Sequence, residues 1–151
     1  MAKRITHTQV YVLDQDEALD FYVGKLGFEV RADFDLGFMR WLTVSLPEQP
    51  ELQLLLEKPG PPSMDERTAE LVRELVTKGA MGMAGIIEVD DVYATYEDLK
   101  AQEVDFTEEP TERFYGTDFG LRDPFGNPLR IGTTKEVPED FDPAQFSAEN
   151  P

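Results

Sequence analysis

The chain has no cysteine, one histidine, one tryptophan, and only 14 basic residues against 31 acidic ones. Without cysteine there are no disulfides, thiolate nucleophiles or sulfur-ligated metals, a composition compatible with a reducing compartment. A single histidine, His7, rules out polyhistidine centres, and neither a serine–histidine–acid order nor a glycine-rich phosphate loop behind a strand takes their place. The scarcity of bases leaves a formal net charge of −17, a field that repels phosphate backbones and anionic lipid. Nucleic acid and membranes are therefore not expected partners. The same field would collect cationic ligands or simply keep the protein dissolved, and both readings stay open. No apolar run approaches the length that spans a bilayer, and Met-Ala-Lys-Arg-Ile-Thr at the start carries no signal-peptide core, so the cytoplasm is the expected location.

What is present suffices for a folded core. At 151 residues with 40% hydrophobic and 11% aromatic residues, one domain or two fused half-domains can bury roughly two-thirds of the unfolded surface. Ile5 to Leu13 alternates with period two, placing Thr8, Val10 and Val12 on one face and His7, Gln9 and Tyr11 on the other. Asp14 then caps a helix whose apolar residues recur at helical spacing until Gly27. Strands are expected over Phe28 to Phe34, Phe38 to Leu46 and Glu51 to Glu57. Ser63-Met64-Asp65-Glu66 reads as a capping box for a helix through Lys78, with Gly79 as its stop; Leu71, Val72, Leu75 and Val76 would cover a sheet edge or a partner subunit.

The same order then repeats 77 positions later. A strand over Ala84 to Val89, a helix from Val92 to Gln102, and strands over Val104 to Glu108, Thr117 to Asp123 and Pro128 to Thr133 are expected. Tyr93, Tyr96 and Leu99 form this helix's apolar stripe and are expected in the core. The expected class is α+β, with two βαβββ modules (4–57 and 83–134) forming a curved mixed sheet around a cavity and a linker with a helix at 58–82. Residues 135–151 form an acidic tail, flexible or loosely docked, in which Phe141 and Phe146 are candidate anchors.

Carried by 77, His7 falls on Ala84 and Gln53 on Arg130, so these four are expected at equivalent points of one cavity. Alternation in the third strand sets Leu42 and Val44 toward a helix and Met39, Trp41 and Thr43 toward the concave side. With His7, Gln9, Tyr11, Gln53, Leu55 and Arg130, and with Phe114 or Tyr115 from a loop, this describes an aromatic, mixed-polarity pocket for a flat organic molecule. Arg130 needs a counter-charge, which Glu57 or Asp118 could supply; held at the cavity floor, it could instead grip an anionic or carbonyl group.

His7-Thr8 on the first strand, Asp-Glu-Ala-Leu-Asp-Phe-Tyr running into Leu-Gly-Phe-Glu-Val, and Asp123-Pro124-Phe125-Gly126-Asn127 before the last strand together resemble the vicinal oxygen chelate superfamily, which includes glyoxalase I, bleomycin-resistance proteins and extradiol dioxygenases. The resemblance covers about residues 4 to 134. It implies metal ligands on the first and fourth strands of each half, at His7, Gln53, Ala84 and Arg130, where Ala84 donates nothing and a guanidinium stands in place of an acid. A guanidinium about 5 Å from a dication would cost roughly 7 kcal/mol at an effective dielectric of about 20, so no metal and no cofactor are expected. The resemblance then implies a homodimeric, metal-free protein of the bleomycin-resistance type that sequesters an aromatic drug or natural product, cationic or neutral, without altering it. Two other readings stay open: a glyoxalase-like lyase or isomerase, or a dioxygenase, with an atypical metal set or with His7 as base, and an interaction module whose pocket is filled by side chains.

Overall fold

A computed structural model describes residues 1–145; Phe146, one of the two candidate tail anchors, lies outside them. Two compact units share the chain, one from Met1–Ala84 and Arg122–Pro128, the other from Gly85–Leu121 and Leu129–Pro151. The chain thus does not divide at the linker alone: the Asp123 turn belongs with the first unit although it precedes the last strand.

In the first unit β1 (His7–Tyr11), α1 (Gln15–Tyr22), β2 (Glu29–Asp35), β3 (Arg40–Leu46) and β4 (Gln49–Glu57) follow in order, and the strands form one mixed sheet in the order β1-β4-β3-β2. Strand β1 runs parallel to β4 and the other pairs are antiparallel. Period-two alternation decides the faces: Val10, Val12, Leu42, Val44 and Leu56 are buried together with Ala18, Phe21 and Tyr22 of α1. The Asp14 carboxylate accepts from the Glu17 N–H at 2.8 Å and starts α1. This helix ends at Tyr22, earlier than the Gly27 stop suggested, because the next turn widens: the Gly24 and Leu26 N–H groups reach the Leu19 and Phe21 carbonyls, five residues back, at 3.1 and 3.0 Å. Gly27 then turns the chain with φ of 80°.

Helix α2 (Glu66–Thr77) is capped by Asp65, whose side chain accepts from the Thr68 N–H at 2.7 Å. The cap therefore lies two residues beyond Ser63, whose hydroxyl donates to Glu57 instead. Of the four apolar residues of this helix read as a covering face, Val76 is buried while Leu71 and Leu75 are exposed. Among the described residues no helix is long and apolar enough to cross a membrane.

The second unit contains β5 (Gly85–Glu88), α3 (Val92–Ala101), β6 (Asp105–Arg113), β7 (Gly116–Arg122) and β8 (Pro128–Gly132), with sheet order β5-β8-β7-β6. Tyr96 of α3 packs on Phe106 and Phe119 with ring centroids 4.5 and 5.4 Å away. Leu99 is buried beside them, but Tyr93 is exposed, so the expected three-residue stripe is two residues wide. Strand β6 continues five residues past the expected end at Glu108, through Pro110. Proline is tolerated there because β6 is the sheet's edge, where one missing N–H donor disturbs no ladder.

The duplication holds at the helices and slips at the last strands. Asp14 and Asp91 are both N-caps, 77 apart. The two parallel ladders end on Tyr11↔Glu57 and Glu88↔Gly132, each followed by the same backbone bond, from Val12 to Glu57 at 3.0 Å and from Val89 to Gly132 at 2.9 Å. With the first strands offset by 77, the fourth strands are offset by 75. The partner of Arg130 is consequently Ile86, and Ala84 bonds to Pro128. Gln53 thus corresponds to Pro128, and Arg130 to Leu55. A slip of two keeps each side chain on its original face of the strand, so the face assignment survives while the four-point equivalence does not.

Candidate functional site

One face of the first sheet gathers most of the expected pocket residues. His7 and Gln53 are register partners, as are Gln9 and Leu55, Tyr11 and Glu57, and, across the next strand, Thr43 and Leu55. Trp41 is half-buried and lies opposite Phe34, which sequence reasoning had not included and which is 59% exposed. The His7 and Trp41 rings stand 6.1 Å apart and are tilted by 58°. Strand alternation could have flagged Phe34 as well, since it shares the pleat of Ala32; the β-bulge between Val30 and Ala32 obscured the parity.

Polar groups on this face bond to one another. Thr43, fully buried, donates from Oγ1 to Gln53 Oε1 at 2.7 Å. His7 Nδ1 lies 3.0 Å from Thr6 Oγ1. Gln9 donates to Glu57, which also accepts from Ser63 at 3.0 Å. At the sheet's far side Arg31 Nε donates to Ser45 Oγ at 2.6 Å. What the face offers a ligand is therefore ring surface bordered by amide and hydroxyl groups already held in place.

Two hollows adjoin this unit's sheet. A pocket of about 100 Å³ is lined by Gln9, Tyr11, Met81, Met83, Ala84 and Asn127. It brings Ala84 to the first strand's residues and adds two methionines from the segment between α2 and β5, whose flexible thioethers adapt to irregular ligands. Met39 lies elsewhere, in a cleft of about 290 Å³ with Gln15, Phe38, Arg40 and Glu57. There Arg40 holds Asp33 through two bonds of 2.9 and 3.0 Å and Asp16 at 2.7 Å. The Arg40 hydrogen bonds pull the Asp33 carboxyl below its ordinary value, and those of Asp33 and Asp16 push the Arg40 guanidinium up.

Phe114, Tyr115 and Arg130 belong to the second unit. Arg130 donates from Nε to Asp118 Oδ2 at 2.7 Å, and from Nη2 to Asp118 Oδ1 at 3.0 Å and to Glu108 Oε2 at 3.2 Å. Arg113, not anticipated from the sequence, bonds Glu108 and Asp118 as well. Tyr115 donates its hydroxyl to Asp118 at 3.2 Å. Two guanidiniums face two carboxylates, so the cluster is balanced and Asp118 is the expected counter-charge; Glu57 serves Gln9 and Ser63. Burial pushes the Asp118 carboxyl up, but the hydrogen bonds and charge of Arg130 outweigh it and hold it below its usual value. Hydrogen bonding to Asp118 raises Arg130, while burial followed by the Asp118 charge raises the Tyr115 phenol.

The four positions at which metal ligands would be sought do not fit a catalytic ion. Such a centre takes about three protein ligands. His7 offers one imidazole, Gln53 one amide oxygen that already accepts from Thr43, Ala84 none, and Arg130 a guanidinium committed to carboxylates. Among the described residues no three His, Asp or Glu side chains converge to hold a metal.

Residues 4–131 match the Glyoxalase/Bleomycin resistance protein/Dioxygenase superfamily. The uncharacterized protein YurT of Bacillus subtilis (strain 168) is 35% identical over 129 residues, covering 85% of this chain and 97% of its own. Among solved structures, that of UcmS2 is 43% identical with a TM-score of 0.83, covering 89% of this chain and all of its own. That of TnmS3, an antibiotic binding protein from Streptomyces sp. CB03234, is 25% identical with a TM-score of 0.70, covering 89% and 98%. The ordered motifs, the repeated strand–helix–three-strand modules and these matches together establish that the chain belongs to the glyoxalase/bleomycin resistance protein/dioxygenase superfamily.

Proposed function

We propose that the protein binds an aromatic small molecule of the antibiotic or natural-product kind on the face of the first sheet and releases it unchanged, without metal or cofactor, in the cytoplasm. The observation that carries this reading is the ring surface of Trp41, Phe34 and His7 beside the mutually bonded Thr43 and Gln53. Aromatic walls with a few fixed polar groups suit flat ligands. The likeness to TnmS3 supports the ligand class. Turnover through a metal is disfavoured by the donor set, and the balanced Arg130 cluster favours a structural role for that guanidinium over a grip on an anion. A homodimer belongs to this reading: Leu36 and Phe38 are exposed around the β2–β3 turn, and a second copy would cover apolar surface of that kind.

A thermal-shift screen against aromatic antibiotics tests the reading. A ligand at about 100 times its Kd stabilises by about 2.7 kcal/mol, or roughly 5–10 °C in a protein of this size. Ligand recovered from the complex should return at its starting mass. A new product mass would make the protein an enzyme, and a panel without a single shift would remove the ligand class.

A further inference from the structure

Beyond β8 the chain stays attached through two backbone bonds of 2.9 Å, from Thr133 to Thr117 and from Lys135 to Tyr115. From Thr134 to Ala144 every residue is exposed except Phe141, which is half-buried. Its ring lies on that of Phe114 with centroids 4.4 Å apart and planes 13° from parallel. The platform beneath is braced: Phe114 meets Tyr115 edge-on at 5.1 Å, the Tyr115 hydroxyl is tied to Asp118, and Asp118 is held twice by Arg130. The Phe141 N–H closes a turn onto the Pro138 carbonyl at 3.0 Å, which presents the ring.

The segment itself is poorly secured. It carries Glu136, Glu139, Asp140 and Asp142, has prolines at 138 and 143, and contributes no strand or α-helix among the described residues. Little burial offsets the conformational entropy of ordering these residues, the character of a segment that opens locally at low cost. A near-parallel ring pair is also the geometry in which a planar ligand would use the Phe114 face.

Resting on the aromatic-ligand reading above, we propose that the ring face of Phe114 is a stacking site for planar aromatic molecules and that Phe141 is its internal occupant, displaced when ligand binds. The four carboxylates of the strap make the displaced state favour cationic rings over anionic ones. This assigns the C-terminal segment a competitive role in place of a passive one.

The test uses proflavine, a planar cationic acridine, titrated against the full chain and followed by the anisotropy of the dye. Phe141→Ala should bind about 3- to 10-fold tighter than the natural chain, the factor being set by the fraction of molecules with the strap docked. Phe114→Leu, which keeps apolar volume but removes the stacking face, should cancel that gain in the Phe141→Ala background. In the natural chain, saturating dye should accelerate tryptic cleavage after Lys135. Equal or weaker binding by Phe141→Ala overturns the competitor role, and equal binding by all variants overturns this site while leaving the aromatic-ligand reading intact. Absence of proflavine binding in every variant likewise overturns this site, whereas the aromatic-ligand reading stands or falls with the thermal-shift panel.

Discussion

Replacing Asp123 by alanine should destabilise the first unit by about 3 kcal/mol, since the buried carboxylate collects five donors. Its Oδ1 accepts from the N–H groups of Phe125, Gly126 and Asn127 at 3.0, 3.0 and 2.9 Å. Its Oδ2 accepts from the Tyr22 hydroxyl at 2.8 Å and from Asn127 Nδ2 at 2.7 Å, and Asn127 Nδ2 also reaches the Tyr11 carbonyl at 2.7 Å. Deleting the carboxylate strands a fully buried tyrosine hydroxyl and two N–H groups of buried residues, each costing about 1–3 kcal/mol, offset in part because a charge no longer has to be buried. At 151 residues that net loss lowers the Tm by roughly 6–12 °C. Tyr22→Phe removes one charged hydrogen bond and should cost about 1.5 kcal/mol. Because both changes act on one bond, the double variant should fall short of the sum by about 1 kcal/mol. Urea denaturation followed by circular dichroism measures all three. An Asp123→Ala loss below about 0.5 kcal/mol, or strict additivity with Tyr22→Phe, would refute the reasoning.

The Asp118 carboxyl is held below its ordinary value in the folded protein, so it stabilises the fold above the unfolded carboxylate value of about 4, and that contribution disappears as pH falls through the folded value. Measured as Tm against pH, the gap between the natural chain and Asp118→Asn should be full above pH 5 and narrow toward pH 3; a gap independent of pH would mean the charge of Asp118 is immaterial. The cap assignment for α2 makes a second prediction: Asp65→Ala should lower the Tm and Ser63→Ala should not, with the reverse order placing the cap at Ser63.

Much of the fold could be read from the sequence because alternation and capping act locally. Parity put Thr8, Val10 and Val12 on one face of β1 and Leu42 and Val44 on the helix side of β3; the four apolar residues are buried, while Thr8 is exposed and Thr43, on the opposite face of β3, is buried as well. Asp14 marked a helix start through a hydrogen bond only three residues long, and Asp91 caps α3 in the same way. Long-range register has no comparable local signature. The offset of 77 is true of the helices and first strands, but the strands and loops between α3 and β8 are two residues shorter than their counterparts, which moves the counterpart of Gln53 from Arg130 to Pro128. Nor did the extent of β6 show, since proline normally argues against a strand and only edge position excuses it. At the site, the need of Arg130 for an acid was legible and Asp118 was among the named candidates. The role of Arg113 was not, because it depends on β6 reaching past Pro110.

Trp41 is the sole tryptophan, so intrinsic emission reports on the ring at the centre of the proposed binding face. The most direct measurement is its fluorescence titrated with an aromatic antibiotic that scores in the thermal screen. The account predicts saturable quenching from a single site on this face, weakened by Phe34→Ala and by Gln53→Ala. Binding that leaves Trp41 emission untouched, or that survives both substitutions unchanged, would contradict the assignment of that face as the ligand site.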